Sequence, residues 1–203
     1  MSRTYDEPAA AAPVTTGRPP ELIALPGGVS LRRRTVADAA AANAAVIRNL
    51  EHLRPWMPWA GSAPTLERST EMTKAGWQLW EDGTDFLYVV GLDAEPGSIV
   101  GAFGLHGRVG PGALEIGYWV DAAHTGRGIA TDAARALTGA ALALPGIVRV
   151  EIHCDETNLA SAAVPRKLGY RLDRVDRRPP SAPAETERLQ IWITERPGGR
   201  AAD

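Results

Sequence analysis

LEIGYWVDAAHTGRGIATDAA, from Leu114 to Ala134, is the stretch that decides the fold of this chain. Apolar side chains alternate over its first seven residues, which is the period of two expected of a strand. Asp121 and Ala122 end this strand. From Thr125 the run TGRGIAT leads into an Ala-rich helix that we expect to extend to about Leu144. The stretch is therefore predicted to form a strand, a glycine-rich loop and a helix.

The glycine-rich loop is typical of an anion-binding site. Gly126, Gly128 and Ala130 carry little or no side chain, so the free backbone amides at the start of the helix are accessible. The helix dipole favours an anion there, and Arg127 adds a full positive charge. Two common phosphate loops do not fit. The chain has no Gly-Lys-Ser/Thr triplet, and Thr131 stands where the dinucleotide fingerprint needs Gly or Ala.

Three motifs resemble those of the Gcn5-related N-acetyltransferase (GNAT) superfamily. Residues 125–130 resemble its acetyl-coenzyme A loop, Gln/Arg-x-x-Gly-x-Gly/Ala, except that Thr125 replaces Gln or Arg. NLASAAVPRKLGY, residues 158–170, is similar to the superfamily's Asn-x-x-Ser/Ala helix that ends in Leu-Gly-Phe/Tyr. HLRPWMPWA, residues 52–60, looks like the substrate-side loop of the ribosomal-protein-alanine acetyltransferase branch, the RimJ/RimL-like proteins.

The order of the predicted elements indicates an α+β fold. Three consecutive antiparallel strands precede a strand-helix-strand-helix unit, and two more strands follow. The resemblance implies the GNAT fold, with a mixed, mostly antiparallel central sheet flanked by helices. It also implies that the strands LEIGYWV and VRVEIHCD splay apart and leave a gap for the pantetheine arm of the cofactor. Pro165 predicts a kink or an early break in the helix that follows.

The chain of 203 residues suits one domain. We expect a disordered Ala/Pro-rich lead at residues 1–20, a single GNAT acetyltransferase domain at 21–195, and a flexible tail at 196–203. The apolar patch in the lead is too short for a secretory signal. Arg32, Arg33 and Arg34 form a basic run, which we interpret as alternating solvated strand positions.

Composition excludes some partners. The net charge of −2 gives no support for nucleic acid binding, and no apolar run is long enough for a membrane helix. Cys154 is the single cysteine, so an internal disulfide is excluded, and we expect it to be a small buried strand residue. We expect no metal site and a cytoplasmic location. Dimerisation through the sheet edges or the last strand stays open.

Acetyl transfer to an amine needs a neutral amine, a polarised thioester and a stabilised leaving thiolate. We expect Glu115 to be the base, directly or through water, because related enzymes often carry a glutamate near this place. We expect Ser161 to donate its hydroxyl to the sulfur, also by resemblance. The remaining candidates for the base are Glu185 and Glu187 between the last two strands, and the strand residues His106 and His153.

The resemblance also implies which residues contact acetyl-CoA. The main chain of Trp119 and Val120 should pair with the pantetheine amides, Asn158 should hold the pantetheine arm, and Arg127 should steer phosphate. The predicted cofactor-binding residues are Trp119, Val120, Thr125, Gly126, Arg127, Gly128, Ile129, Ala130, Thr131 and Asn158.

Four of the six tryptophans, Trp56, Trp59, Trp77 and Trp80, fall between residues 55 and 80. We expect them to line an apolar acceptor pocket, although core packing is the other interpretation for the helical pair Trp77 and Trp80. A protein N-terminal α-amine and a small-molecule amine both fit such a pocket. The sequence thus predicts an acetyl-CoA-dependent N-acetyltransferase that works by direct attack in a ternary complex. The alternative is a non-catalytic acyl-CoA-binding sensor or interaction module.

Overall fold

The structure, a computed structural model, describes residues 13–196. In this part of the chain eight strands form one sheet, in the order β1-β2-β3-β4-β5-β6-β8-β7. The strands are β1 (Leu22–Leu25), β2 (Val29–Arg33), β3 (Asp85–Leu92), β4 (Gly101–His106), β5 (Ala113–Val120), β6 (Arg149–Asp155), β7 (Arg171–Arg177) and β8 (Arg188–Glu195). The helices are α1 (Ala39–Arg48), α2 (Leu50–Leu53), α3 (Leu66–Asp82), α4 (Ile129–Ala143) and α5 (Leu159–Lys167).

The sheet is antiparallel except between its two central strands. β5 and β6 run parallel and pair over three residues only, Ala113 to Glu115 against Arg149 to Glu151. Beyond Glu115 the two strands continue without pairing, so a gap opens in the middle of the sheet. The mixed, mostly antiparallel α+β fold and the splayed strands predicted above are therefore confirmed.

Helix α4 packs on the sheet through its smallest side chains. Ala133, Ala134 and Ala141 are fully buried beside Leu137, and they belong to one apolar cluster with strand residues such as Ile116. Because alanine has no side chain beyond Cβ, the helix axis can approach the strands closely. This packing holds the start of α4 next to the end of β5, where the glycine-rich loop lies.

The two tryptophans of α3 differ in burial, since Trp80 belongs to the core and Trp77 is exposed at the surface beneath an arginine. Trp80 is 2% exposed and meets Phe86 and Tyr88 edge to face, with ring centroids 5.2 and 5.1 Å away. Trp77 lies under the guanidinium of Arg33, 3.7 Å from its ring centroid. Since two residues three apart share a helix face, both turn toward the same side. Core packing and a cation–π contact therefore account for this pair.

The described part of the predicted lead lies against the domain. Thr15 donates its hydroxyl to the carbonyl of Pro145 at 2.9 Å, and the carbonyl of Pro20 accepts from Tyr88 Oη at 2.8 Å. Residues 13–20 therefore make specific contacts, whereas we expected them to belong to a disordered segment. The predictions for residues 1–12 and 197–203 lie outside the described residues. Between residues 13 and 196, no helix has the length and apolar character needed to cross a membrane.

Candidate active site

Two neighbouring cavities lie at the gap between β5 and β6. The first, about 370 Å³, extends from the gap to the glycine-rich loop and is called the donor cavity here. The second, about 670 Å³, extends over the polar side of β4 and β5 and is called the acceptor cavity. Both cavities are lined by Trp56, Met57, Tyr118, Trp119, Asn158 and Ser161. These shared residues mark the junction at which two bound molecules could meet.

The glycine-rich loop forms the far end of the donor cavity. Gly126 and Gly128 have φ values of 74° and 85°, which place both in the left-handed region that glycine adopts without strain. The first helical bond runs from Asp132 N to Gly128 O at 3.0 Å, so the amides before it have no helical partner. These amides and the helix dipole favour the phosphates of a nucleotide cofactor.

Thr125 holds this loop with its own side chain. Its hydroxyl donates to the carbonyl of Ala122 at 2.9 Å, within the turn. The departure from Gln or Arg therefore leaves the turn intact. The predicted cofactor residues that line the donor cavity are Trp119, Val120, Thr125, Gly126, Gly128, Ile129, Ala130, Thr131 and Asn158. Arg127 is exposed and is not among the lining residues.

Asp121 anchors the beginning of the loop to helix α1. Its Oδ2 accepts from Arg48 at 2.7 Å and from Asn49 at 2.9 Å, while its Oδ1 accepts from the amide of Ala123 at 2.9 Å. Asn49 in turn accepts from the amide of Ala122 at 2.8 Å. Burial alone would raise the pKa of Asp121, but these donors outweigh it and lower the pKa to about 2. The loop is therefore attached to the fold by an ionised carboxylate.

Pro165 links helix α5 to strand β5. Proline has no N–H, so it leaves the carbonyl of residue 161 without a helical donor. Tyr118 Oη donates to this carbonyl at 3.2 Å and lies 3.1 Å from Ser161 Oγ. Of the predicted kink or early break, the break does not occur, because helix α5 continues to Lys167. The freed carbonyl instead brings Tyr118 and Ser161 together at the junction of the two cavities.

Burial keeps the other hydroxyl and thiol groups at the junction protonated. It raises the pKa of Tyr118 well above its usual range, against a smaller opposing effect of the hydrogen bond to Ser161. It raises the pKa of Cys154 to about 11, against smaller effects of Ser161 and Arg166. Cys154 is 6% exposed, as expected for a strand residue. A thiol with this pKa is a poor nucleophile at neutral pH.

Glu115 lies in the acceptor cavity as half of an ion pair. Arg108 donates to it through Nε and Nη2, both at 2.7 Å. Burial favours the neutral acid, yet the bonds and charge of Arg108, with smaller contributions from His153 and His106, lower the pKa of Glu115. The carboxylate is therefore ionised, and it is a weaker base than we expected from the sequence.

His106 faces Glu115 across the β4–β5 pair. Its Nδ1 lies 3.3 Å from Asp85 Oδ1, which orients the ring. Its Nε2 lies over the paired glycines 104 and 117, only 2.5 Å from the place that a Cβ of residue 104 would occupy. The absence of side chains at both positions thus makes room for the imidazole. The ring lines the acceptor cavity with one nitrogen next to a carboxylate and the other over the strand pair.

The other predicted bases are engaged or distant. His153 Nε2 lies 2.5 Å from Oε2 of Glu151, a carboxylate that is 2% exposed. Glu185 lines the acceptor cavity, but its Oε2 accepts from Ser181 N and Oγ at 2.7 and 2.6 Å. Glu187 lines neither cavity.

The two loop tryptophans behave differently from the helical pair. Trp56 lines both cavities and Trp59 lines the acceptor cavity, whereas Trp77 and Trp80 line neither. The loop at residues 52–60 therefore borders both cavities, and its role in binding the acceptor stays a prediction. The hydroxyl of Tyr118 was missed as a partner of Ser161, although Pro165, which the sequence did single out, is the residue that frees its acceptor.

Solved structures of similar fold include three that contain a coenzyme A species. RimL, a ribosomal L7/L12 α-N-protein acetyltransferase in complex with coenzyme A, has a TM-score of 0.77 at 22% identity, with 86% of this chain and 98% of that chain covered. RimJ of Mycobacterium smegmatis in complex with CoA-disulfide has a TM-score of 0.75 at 24% identity, with 86% and 85% covered. The microcin C7 self-immunity acetyltransferase MccE, in complex with acetyl-CoA and AMP, has a TM-score of 0.77 at 18% identity, with 87% and 97% covered.

No curated protein matches the sequence. The sequence does match a protein family. Residues 29–171, more than half of the chain, match the acetyltransferase (GNAT) domain. This match covers the loop at 125–130 and the helix at 158–170, so the predicted family, enzyme class and cofactor are confirmed. The chain belongs to the GNAT acetyltransferase family and is an N-acetyltransferase that uses acetyl-CoA.

Proposed function

We propose that this enzyme transfers the acetyl group of acetyl-CoA directly to a primary amine, a protein N-terminal α-amine or the amine of a small molecule. The junction of the two cavities carries this proposal. Tyr118, Ser161 and Asn158 line both cavities, so a donor and an acceptor bound side by side would meet at these residues. This arrangement supports a ternary complex.

The donor cavity has the features that acetyl-CoA needs. The loop amides at Gly126 and Gly128 would hold the pyrophosphate. Trp119 and Val120 pair with β4 but have no partner on the side of β6, so this edge of β5 would offer main-chain groups to the pantetheine amides. Asn158 Oδ1 already accepts from Ser161 N at 3.0 Å, so its Nδ2 is the part left for the pantetheine arm. When bound, acetyl-CoA supplies the activated acetyl group as a thioester.

Ser161 is the proposed proton donor to the departing sulfur. Tyr118 Oη donates its single proton to the Ser161 carbonyl and can accept from Ser161 Oγ at 3.1 Å, which holds the serine hydroxyl at the junction. From there Ser161 gives its proton to the thiolate and regains one from solvent water in the open cavities. The raised pKa of Tyr118 keeps its own proton in place during this transfer. No acetyl-enzyme is needed, because burial raises the pKa of Cys154 to about 11 and so suppresses its thiolate.

Glu115 and His106 in the acceptor cavity have separate roles in this proposal, although the sequence suggested Glu115 as the base. Its lowered pKa suits it to attract the ammonium form of the acceptor rather than to remove a proton. His106 Nε2 faces the same cavity, and Asp85 fixes the ring through Nδ1. We assign the proton acceptor to His106, directly or through one water, and electrostatic attraction of the amine to Glu115.

An α-amine is the easier acceptor for this site. Its pKa is about 8 and that of lysine is about 10.4, so deprotonating lysine costs about 3 kcal/mol more at neutral pH. RimL is described as a ribosomal L7/L12 α-N-protein acetyltransferase, whereas MccE is a microcin C7 self-immunity acetyltransferase. Both kinds of acceptor are therefore compatible with this fold.

The test is thiol release from acetyl-CoA, measured against a panel of short peptides and small amines. Each peptide is paired with a copy whose N-terminus is already blocked. We expect turnover of free amines only. His106→Gln should lower kcat/KM, whereas Glu115→Gln should mainly raise KM. A protein that binds acetyl-CoA by calorimetry and turns over none of these amines would contradict the proposal.

A further inference from the structure

We propose that Arg34 binds an anionic group of the acceptor, a carboxylate or a phosphate, so that the substrate is an amine that also carries a negative charge. This inference rests on the proposed function and names the substrate class. The first observation is the position of Arg34. It lines the acceptor cavity beside strand β3, whereas Ser161 lines the same cavity beside strand β5.

Within residues 13–196, Arg34 is a cation without a carboxylate partner. Of the three arginines that line the acceptor cavity, Arg108 pairs with Glu115 at 2.7 Å and Arg178 lies 3.7 Å from Glu185. Among the residues described, no carboxylate lies within 4.0 Å of the Arg34 guanidinium. The nearby carboxylate of Asp38 is occupied by both terminal nitrogens of Arg32.

The Arg34 guanidinium also has few neutral hydrogen-bond acceptors among the described residues. Its one hydrogen bond among the described residues runs from Nη2 to the carbonyl of Met72 at 3.1 Å, and its Nε is buried without a partner. Burial lowers the pKa of Arg34, and the charge of Asp38 only partly offsets this effect. A half-buried cation with a buried unused donor is costly unless an anion binds to it.

Neighbouring residues hold the Arg34 side chain in place, so its guanidinium is preorganised for an anion. Gly76 of α3 provides the space, because a Cβ at that position would come within 2.7 Å of Arg34 Nη2 and 2.5 Å of a methyl carbon of Leu87. The amide of Arg34 donates to the carbonyl of Leu87 at 2.9 Å, which continues the sheet by one residue. The helix and the strand therefore fix the guanidinium from two sides.

The register of the sheet gives the distance between the charge and the reacting amine. Arg34 lies beside Leu87, Leu87 pairs with Gly104, and Gly104 pairs with Gly117 at the edge of the gap. Three strand spacings amount to roughly 14 Å. An extended peptide advances about 3.3 Å per residue, and the arginine side chain shortens the path. The anion should therefore lie two to four residues from the amine.

The test uses matched acceptors that differ by one charge. The probes are the amidated peptides Ala-Gly-Asp-Gly and Ala-Gly-Asn-Gly, and a third peptide with phosphoserine in place of Asp. For the wild type we expect kcat/KM to be roughly ten- to one-hundredfold higher for an anionic peptide than for the Asn peptide, as expected for a hydrogen bond to a charged group. The ratio of the two anionic peptides distinguishes carboxylate from phosphate.

Variants of Arg34 show whether this residue causes the preference for anionic peptides. Arg34→Gln should bring the anionic and Asn peptides to equal kcat/KM by loss on the anionic one alone, and Arg34→Lys should keep part of the preference. Arg68→Gln is the matched control, since this exposed residue of α3 loses the same charge one turn from Met72 and lines neither cavity. Equal rates on all peptides in the wild type, or a preference that survives in Arg34→Gln, would overturn the inference and leave the proposed function intact.

A failure of the proposed function would look different. In that case no peptide releases thiol, whatever its charge. The affinities of the Asp and Asn peptides for the CoA-loaded wild type and for CoA-loaded Arg34→Gln are then measured by calorimetry. This experiment tests the anion site without turnover. A preference for the Asp peptide that disappears in the variant supports the anion site, and equal binding of both peptides rejects it.

Discussion

Ser161 and Tyr118 form the smallest unit on which the proposed chemistry depends. Their hydroxyl oxygens lie 3.1 Å apart at the junction of the two cavities. The contact joins a strand residue to a helix residue that is distant in sequence. Removing either hydroxyl should affect the departure of the thiolate more than the binding of acetyl-CoA.

For Ser161→Ala we expect kcat to fall by roughly one hundred- to one thousandfold, because general acid assistance is lost. The dissociation constant of acetyl-CoA, measured by calorimetry, should stay within about twofold, since the rest of the donor cavity is unchanged. The variant is assayed by thiol release under saturating acetyl-CoA. A rate equal to that of the wild type would remove Ser161 from the mechanism.

Cys154 provides the control at the same place. Burial raises the pKa of its thiol to about 11, so at pH 7 roughly one molecule in ten thousand carries the thiolate. We expect Cys154→Ala to keep kcat within about threefold and the wild-type protein to resist alkylation by iodoacetamide at pH 7. Fast alkylation together with loss of turnover in the variant would instead indicate a covalent route.

Among the elements, helix α5 shows how a residue that weakens a helix can position a site. Pro165 frees the carbonyl of Ser161, and Tyr118 occupies it at 3.2 Å. Restoring an N–H at position 165 would satisfy that carbonyl within the helix. The hydroxyl of Tyr118 would then lose one of its two partners.

For Pro165→Ala we expect a more stable protein with a kcat lower by roughly three- to tenfold. The helix gains a hydrogen bond, and the penalty for an interior proline, up to about 3 kcal/mol, is removed. In a double-mutant cycle with Tyr118→Phe, the proline substitution should have no further effect on kcat. The combination of urea unfolding and thiol release checks both parts. Additive losses of kcat in the double variant would contradict the link.

The start of α4 depends on a glycine with positive φ. Gly128 has a φ of 85°, so Gly128→Ala should cost roughly 1 to 2 kcal/mol of stability and weaken acetyl-CoA binding. Gly139, in the interior of the same helix, is the control because a Cβ there meets nothing within 4 Å. Gly139→Ala should stabilise the protein by about 0.5 to 1 kcal/mol and leave binding unchanged. Thermal unfolding with and without acetyl-CoA distinguishes the two. Equal effects of both substitutions would contradict this role of the loop.

The elements themselves were predictable to a large extent. Strand β5 followed from the alternation of its side chains, and helix α4 followed from the Ala-rich run after the glycine-rich loop. Gly169, in the Leu-Gly-Tyr ending of α5, has the left-handed φ of 77° that closes a helix. These features depend on local rules of side-chain alternation and helix capping. The splay of the central strands came from family resemblance, because no local pattern reports where pairing stops.

The candidate site was less predictable, since it depends on contacts between distant residues. The pairing of Glu115 with Arg108 lowers the carboxylate pKa, and the register of β4 against β5 brings His106 opposite Glu115. Arg34 was expected to be a solvated residue of a basic run. The packing of α3 at Gly76 turns it into a cavity residue, and nothing in the local sequence indicates that packing.

At the scale of the whole molecule, Asp121 connects the donor loop with the amino-terminal helices. It accepts from Arg48, Asn49 and the amide of Ala123. Its pKa of about 2 lies below the ordinary aspartate value of 3.8, so folding favours the ionised form. The resulting stabilisation is complete above pH 4 and is lost as the pH falls toward 2.

We expect this carboxylate to contribute up to about 2 kcal/mol to the free energy of unfolding at neutral pH. Asp121→Asn should therefore be less stable than the wild type at pH 6, and the difference should shrink between pH 4 and pH 2. Urea unfolding at several pH values measures it. A difference that stays constant from pH 6 to pH 2 would show that the charge of Asp121 does not stabilise the fold.

The most direct test of direct acetyl transfer follows the acetyl group itself. The protein is incubated with acetyl-CoA labelled in the acetyl group and with the amidated peptide Ala-Gly-Asp-Gly, and both peptide and protein are analysed by mass spectrometry over time. We predict that the label reaches the peptide α-amine and that the protein carries none at any time. A peptide that stays unlabelled, or a label that first appears on Cys154 and then moves to the peptide, would contradict the account.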